Sequence, residues 1–176
     1  SGGARYWAPG MQHYFQAIAP LTAAVVAESA GGEVSAINYT VDGESDLIYA
    51  AYNKVGAAAG STNGPVSFTF GHLLSKVEFK FVNGFAAEDG VTIAVKNVKM
   101  TVPASGKYTI DTNDVTKGEW SVNTTATGTT LDFAGTGLDF GPKFVLPYDN
   151  SYAYAIEFDV DVTYGGVEIN KDAVKD

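Results

Sequence analysis

The chain contains no cysteine and only one arginine, Arg5. The first absence excludes disulfides, thiolate nucleophiles and cysteine-type zinc sites. The second accompanies a net charge of −9, from 20 acids against 11 bases, and leaves no basic stripe. Nucleic acid and anionic lipid headgroups are therefore poor partners. His13 and His72 are the only histidines. No H-E-x-x-H spacing offers a zinc site, and no serine sits in a G-x-S-x-G elbow. Long apolar runs are missing too. The best, Leu21 to Ala27, is far too short to cross a bilayer as a helix. No signal segment is visible, and one is expected to have been removed.

What the chain has in quantity is sheet-forming residues. It is 45% hydrophobic, 12% aromatic and only 18% charged, with many Tyr, Phe, Val and Thr. That balance favours strands over helices. At 176 residues the chain has room for one domain, residues 1–176, with a core large enough to need no covalent staples.

The organising stretch is Val66 to Phe81, VSFTFGHLLSKVEFKF. Val66, Phe68 and Phe70 are apolar at even positions; Leu73, Val77, Phe79 and Phe81 at odd ones. Period-two alternation predicts strands with one buried face. The parity flips at Gly71-His72, where a plain register slip would turn the core face outward. The spacing predicts two strand segments joined by a kink at Gly71 and His72, with all the aromatics inward.

The rest of the chain reads similarly. Gln12 to Ala19 is a first strand stopped by Pro20. Leu21 to Ala30 reads as a short helix or a loop. Val34 to Val41 and Asp46 to Tyr52 are strands, and Val55 to Gly64 is a loop. Val91 to Val102 shifts parity near Lys96-Asn97, which predicts a bulge. Tyr108 to Asp111, Glu119 to Val122, Thr129 to Phe133 and Lys143 to Leu146 are short strands. Tyr152 to Tyr164 alternates most cleanly: Ile156, Phe158, Val160 and Val162 on one face, Glu157, Asp159 and Asp161 on the other. Gly165-Gly166 then signals a hairpin into Val167 to Asn170. About nine strands without helical crossovers predict an all-β, antiparallel sandwich.

Four ordered landmarks carry a family resemblance. Val66 to Phe79 resembles a V-x-F-x-H-x-L-S-K-[IV]-x-F pattern, apart from one extra residue before His72. Asp46-Leu47-Ile48-Tyr49-Ala50 resembles a D-L-[LI]-[YW]-A element. Tyr6-Trp7 through Phe15-Gln16-Ala17-Ile18-Ala19-Pro20 is similar to an aromatic lead-in with an F-x-A-[YI]-A-P ending. Phe144-Val145-Leu146-Pro147 resembles a later L-x-P strand. Together they resemble the Bacteroides-type fimbrillins, the subunits of type V pili. The resemblance implies a transthyretin-like Greek-key sandwich and export as a lipoprotein to the outer membrane and cell surface. It also implies assembly with other pilus subunits by strand exchange, a part in adhesion to a host glycan or protein, no cofactor and no enzymatic activity. Members usually carry two sandwich domains, whereas this length suits about one. Family precursors are cut after an arginine, which makes Arg5 the candidate processing site.

Each candidate site has a bland counterpart. One of the two histidines, His13 or His72, paired with Asp46 or Asp111, has the composition of a base and its orienting acid. The favoured role for His72 is hydrogen-bonding the kink. Glu157, Asp159 and Asp161 share one strand face and present oxygens suited to calcium. A solvated acidic face that resists edge-to-edge pairing is the preferred reading. Tyr6, Trp7, Tyr14, Trp120, Tyr148 and Tyr152 suggest a sugar-stacking platform, so a carbohydrate-binding surface module is the alternative function. Core packing is the expected use of most of these rings. For assembly, Ile156, Phe158, Val160 and Val162 are expected to line a groove left by an incompletely covered sheet edge.

Overall fold

The structure, a computed structural model, describes residues 8–58, 63–147 and 149–175. Fourteen strands form among them: β1 (Gln12–Ala19), β2 (Val25–Ala30), β3 (Glu33–Thr40), β4 (Ile48–Val55), β5 (Gly71–His72), β6 (Ser75–Lys80) and β7 (Val91–Val102). Then follow β8 (Ser105–Ile110), β9 (Gly118–Val122), β10 (Thr129–Asp132), β11 (Gly135–Thr136), β12 (Asp139–Val145), β13 (Ala155–Tyr164) and β14 (Val167–Lys175). One 3-10 turn at Ala87–Asp89 is the only helical element among the described residues. The fold is all-β, and every pairing described by register is antiparallel.

The strands group into two compact units. The first takes the described residues up to Tyr39, with Asp46–Leu73 and Lys107–Ser121. Its sheets run β1-β4-β5 and β2-β3-β8-β9. Tyr49 of β4 lies 6.3 Å, ring to ring, from Tyr108 of β8, which joins the two layers. Around them Ile37, Tyr39, Leu47, Ala50 and Ile110 are buried. The Tyr49 hydroxyl donates to Val115 O at 2.8 Å, so its polar tip is satisfied inside the core. Gln16 of β1 closes a second link, donating to Val34 O and accepting from Val34 N–H, both at 2.8 Å.

The second unit takes Thr40–Ser45, Leu74–Gly106 and the described residues from Val122 onward. Its sheets run β10-β7-β13-β14 and β11-β12-β6. Val95, Val98, Val102, Leu131, Phe133, Phe140, Val145 and Leu146 are buried here. Aromatic rings couple the layers. Phe79 meets Phe133 edge-on at 4.8 Å, and Phe81 lies 5.8 Å from Phe140 and 4.9 Å from Phe158.

The expected bulge in Val91 to Val102 has a clear form. Asn97 adopts a left-handed φ of 53°, and the β7–β13 register shifts between Glu157 and Asp159. The extra residue lets Val95 and Val98 both face the core despite opposite parity.

Two stretches differ in kind from expectation. Leu21 to Ala30, read as helix or loop, contains strand β2, because Gly31 and Gly32 both take positive φ and turn it back onto β3. Val66 to Phe70, read as a buried strand, is not a strand. Phe68 and Phe70 are 38% and 44% exposed, and Val66 is half-buried. Only Gly71 and His72 pair, with Tyr49 and Ile48. The chain then leaves the first unit after Leu73 and enters the second at Leu74, where β6 joins a different sheet. Val77, Phe79 and Phe81 are half-buried in that second sheet's neighbourhood.

Candidate functional site

β13 lies between β7 and β14 in its sheet. The hairpin into β14 turns at Gly165-Gly166, both at positive φ. β14 pairs with β13 from Tyr164↔Val167 to Phe158↔Lys175, with register shifts on both sides of Val162. The return strand is therefore longer than the expected Val167 to Asn170. Ala155, Ile156 and Glu157 pair with β7, and among the described residues no strand pairs with their other edge. Ile156 is 39% exposed there, while Phe158, Val160 and Val162 are half-buried. The alternation read in sequence is real, yet no residue of β13 reaches the fully buried core. Tyr164, Val167 and Ile169 remain well exposed around the hairpin.

The opposite face of β13 is acidic but answered by its neighbour. Lys96 of β7 lies 3.2 Å from Asp161, and Asn97 Nδ2 donates to Asp159 at 2.5 Å. Glu157 stands across from Lys99 in the register. Among the described residues no cluster of three histidine, aspartate or glutamate side chains has the arrangement of a metal site. The face is built for cross-strand charge pairing.

His72 and Asp46 do come together, with Nδ1 2.8 Å from Oδ2 and the imidazole 70% exposed. The contact fastens β5 to the approach into β4. Among the described residues no hydroxyl nucleophile is hydrogen-bonded to His72, so the pair lacks the third group that acyl-transfer chemistry requires. His13 instead meets the backbone of Ala8. Asp111 accepts from the Asn113 backbone N–H at 2.7 Å and serves a turn.

Three of the six platform candidates, Tyr14, Trp120 and Tyr152, lie among the described residues, and two of them are half-buried. Trp120 is half-buried, its indole N–H donates to Leu73 O at 2.8 Å, and its ring lies 5.5 Å from Tyr108. Tyr152 packs against Tyr154 at 5.2 Å, and its hydroxyl donates to Val102 O. Tyr14 alone of the described candidates is exposed, at 47%. Tyr6, Trp7 and Tyr148 lie outside the described residues, as does Arg5.

One carboxylate is strongly perturbed. A hydrogen bond from the Thr116 hydroxyl, reinforced by Lys117 and the Thr116 backbone N–H, lowers the Asp114 pKa from 3.8 to about 2. A group lowered in the folded state stabilises it above its unfolded pKa and stops doing so as pH falls through the folded value. The Asp114–Lys117 turn is thus expected to hold fully above pH 3.8 and to loosen toward pH 2. Following the Asp114 carboxyl carbon by NMR should give a midpoint near 2; a midpoint at 3.8 refutes the bonded turn.

These observations define an antiparallel all-β protein that is rich in sheet edges and carries no catalytic constellation among its described residues. The chain matches the fimbrillin-like family over residues 1–172 and belongs to it. No curated protein and no solved structure matches it.

Proposed function

We propose that the chain is a structural, non-enzymatic subunit of a cell-surface pilus. In this reading residues 1–176 act as one fimbrillin-like module with transthyretin-like Greek-key connections. The protein is delivered as a lipoprotein to the outer membrane, joins related subunits by β-strand exchange and contributes to adhesion to a host glycan or protein. Family membership supports the pilus role.

The open Ala155–Glu157 stretch of the β13 edge supports strand exchange. Ala155, Ile156 and Glu157 have a partner strand on one side only among the described residues. A strand arriving in the line of β14 pairs there first, then displaces β14 and covers Ile156, Phe158, Val160 and Val162. Backbone pairing supplies affinity, and alternate side chains supply specificity. Incubating the purified protein at rising concentration should produce ladders that survive detergent without boiling. A peptide copying Val167–Lys175 should compete and shorten them. A protein that stays monomeric at every concentration overturns the reading.

Processing at Arg5 belongs to the same proposal. An arginine-specific protease should release a short N-terminal piece and leave the remainder intact by mass. Complete resistance of the folded protein removes Arg5 as the processing site.

A further inference from the structure

The first unit holds an edge that its own chain has the means to close. β4 pairs with β1 along its whole length, from Ile48 to Val55. On its other side only Ile48 and Tyr49 have partners among the described residues, supplied by His72 and Gly71 of β5. A two-residue strand is a short clip at the start of a long open edge. Beside that edge lies a cavity of about 590 Å³, whose lining includes Ala50, Ala51, Tyr52, Ser67, Thr69 and Phe70. The segment Val66–Phe70 therefore runs next to β4 without joining it. Among the described residues its backbone makes no hydrogen bond.

Everything local about this segment favours a strand. Val, Phe, Thr and Phe are strong sheet formers, and the alternation is unbroken. Pro65 precedes it, a residue tolerated at the first position of an edge strand. Continuing the β5 register sets Phe70 opposite Ala50, Thr69 opposite Ala51, Phe68 opposite Tyr52 and Ser67 opposite Asn53. That register places Phe68 and Phe70 on the same face as Tyr52 and Ala50. Ala50 is buried, whereas Phe68 and Phe70 are exposed as they stand. Docking would pair unpaired backbone, remove two exposed aromatics from water and blunt an edge open to addition of a foreign strand.

We propose that Val66–Phe70 is an edge strap that closes onto β4 in the register begun by β5, lengthening a two-residue strand into a full one. The occupant of the slot is this chain's own segment. The proposal goes beyond the pilus reading and stands without it, since it concerns the other unit and needs no partner.

The absence of native cysteine makes the register directly testable. The double variant A51C/T69C places two thiols opposite one another in the closed strap. The control A51C/S67C places them two residues, about 7 Å, out of register. A disulfide forms readily only when the Cα atoms lie within about 7 Å. Under mild oxidation at low protein concentration the matched pair should close within one chain, about tenfold faster than the control. N53C/S67C repeats the test should the first variant fold poorly. Hydrogen exchange on the unaltered protein should show alternate amides of Val66–Phe70 slowed together with outward-facing amides of Ala50–Asn53. Equal closure rates for matched and control pairs overturn the strap, as do unslowed amides. Cross-links between chains that rise with concentration assign the edge to a second copy and overturn it equally.

Discussion

Replacing Phe133 with alanine is expected to cost about 3–5 kcal/mol, the range for deleting a fully buried Phe ring. Phe133 is 4% exposed and follows β10 directly. Its backbone N–H donates to Val98 O at 2.8 Å, which fixes where the side chain enters the core. Its ring takes the edge of Phe79 at 4.8 Å and 70°, an arrangement worth something beyond area burial alone. Truncation removes the ring from the middle of the second unit's apolar set, and close-packed neighbours collapse only partly into the space. Urea unfolding followed by tyrosine fluorescence should show a lower midpoint with the slope unchanged. Phe79→Ala should cost less, because Phe79 is only half-buried. A Phe133→Ala loss under about 1 kcal/mol would show that the ring does not hold the layers together.

The comparison of those two phenylalanines marks what period-two reading can and cannot reach. Alternation identifies which face a residue takes, and for Val77, Phe79 and Phe81 it did so. It does not say how much covers that face. The same limit applies to β13, where Ile156, Phe158, Val160 and Val162 share a face as expected but none is fully buried. Parity breaks were more informative. The slip at Lys96-Asn97 is a bulge with a left-handed Asn97, since an inserted residue is the cheapest way to keep Val95 and Val98 both inward. The flip at Gly71-His72 coincides with a change of sheet two residues later.

Other features were illegible for physical reasons. β2 reads VVAESA, with residues that also suit a helix, and only pairing with β3 settles it. Val66–Phe70 errs the opposite way: its propensity is high, but a strand needs a partner, and the partner edge lies in non-local β4. The division into two units leaves no mark in composition either. The chain passes between them without Pro- or Gly-rich linkers, in the middle of ordinary sheet sequence such as Tyr39-Thr40 and Ser121-Val122. Among the candidate site residues, a histidine–aspartate pairing was readable only as a set of options, and the fold selects His72 with Asp46. The open stretch of β13 at Ala155–Glu157 was not, because it depends on where β14 falls in register.

That open stretch carries the other large expected effect, which is on assembly. Ile156→Lys should abolish the detergent-resistant ladder while leaving the folded monomer nearly as stable as before. Ile156 is 39% exposed, so a lysine there can carry its ammonium into water along its own stem. Substitutions at such surface positions usually change stability by about 0.5 kcal/mol or less. In an assembled subunit the same position is covered by the arriving strand. A charge trapped there costs several kcal/mol unless it finds a partner. Its cross-strand neighbour in β7 is Met100, which offers no countercharge. Leu21→Lys provides the control, since Leu21 is an 80% exposed apolar residue that lies outside every strand. That variant should form ladders like the parent. Ladders that persist in Ile156→Lys, with thermal stability unchanged, would show that subunits join elsewhere and would remove β13 as the assembly edge. Loss of ladders in both variants would trace the effect to general surface hydrophobicity and count equally against it.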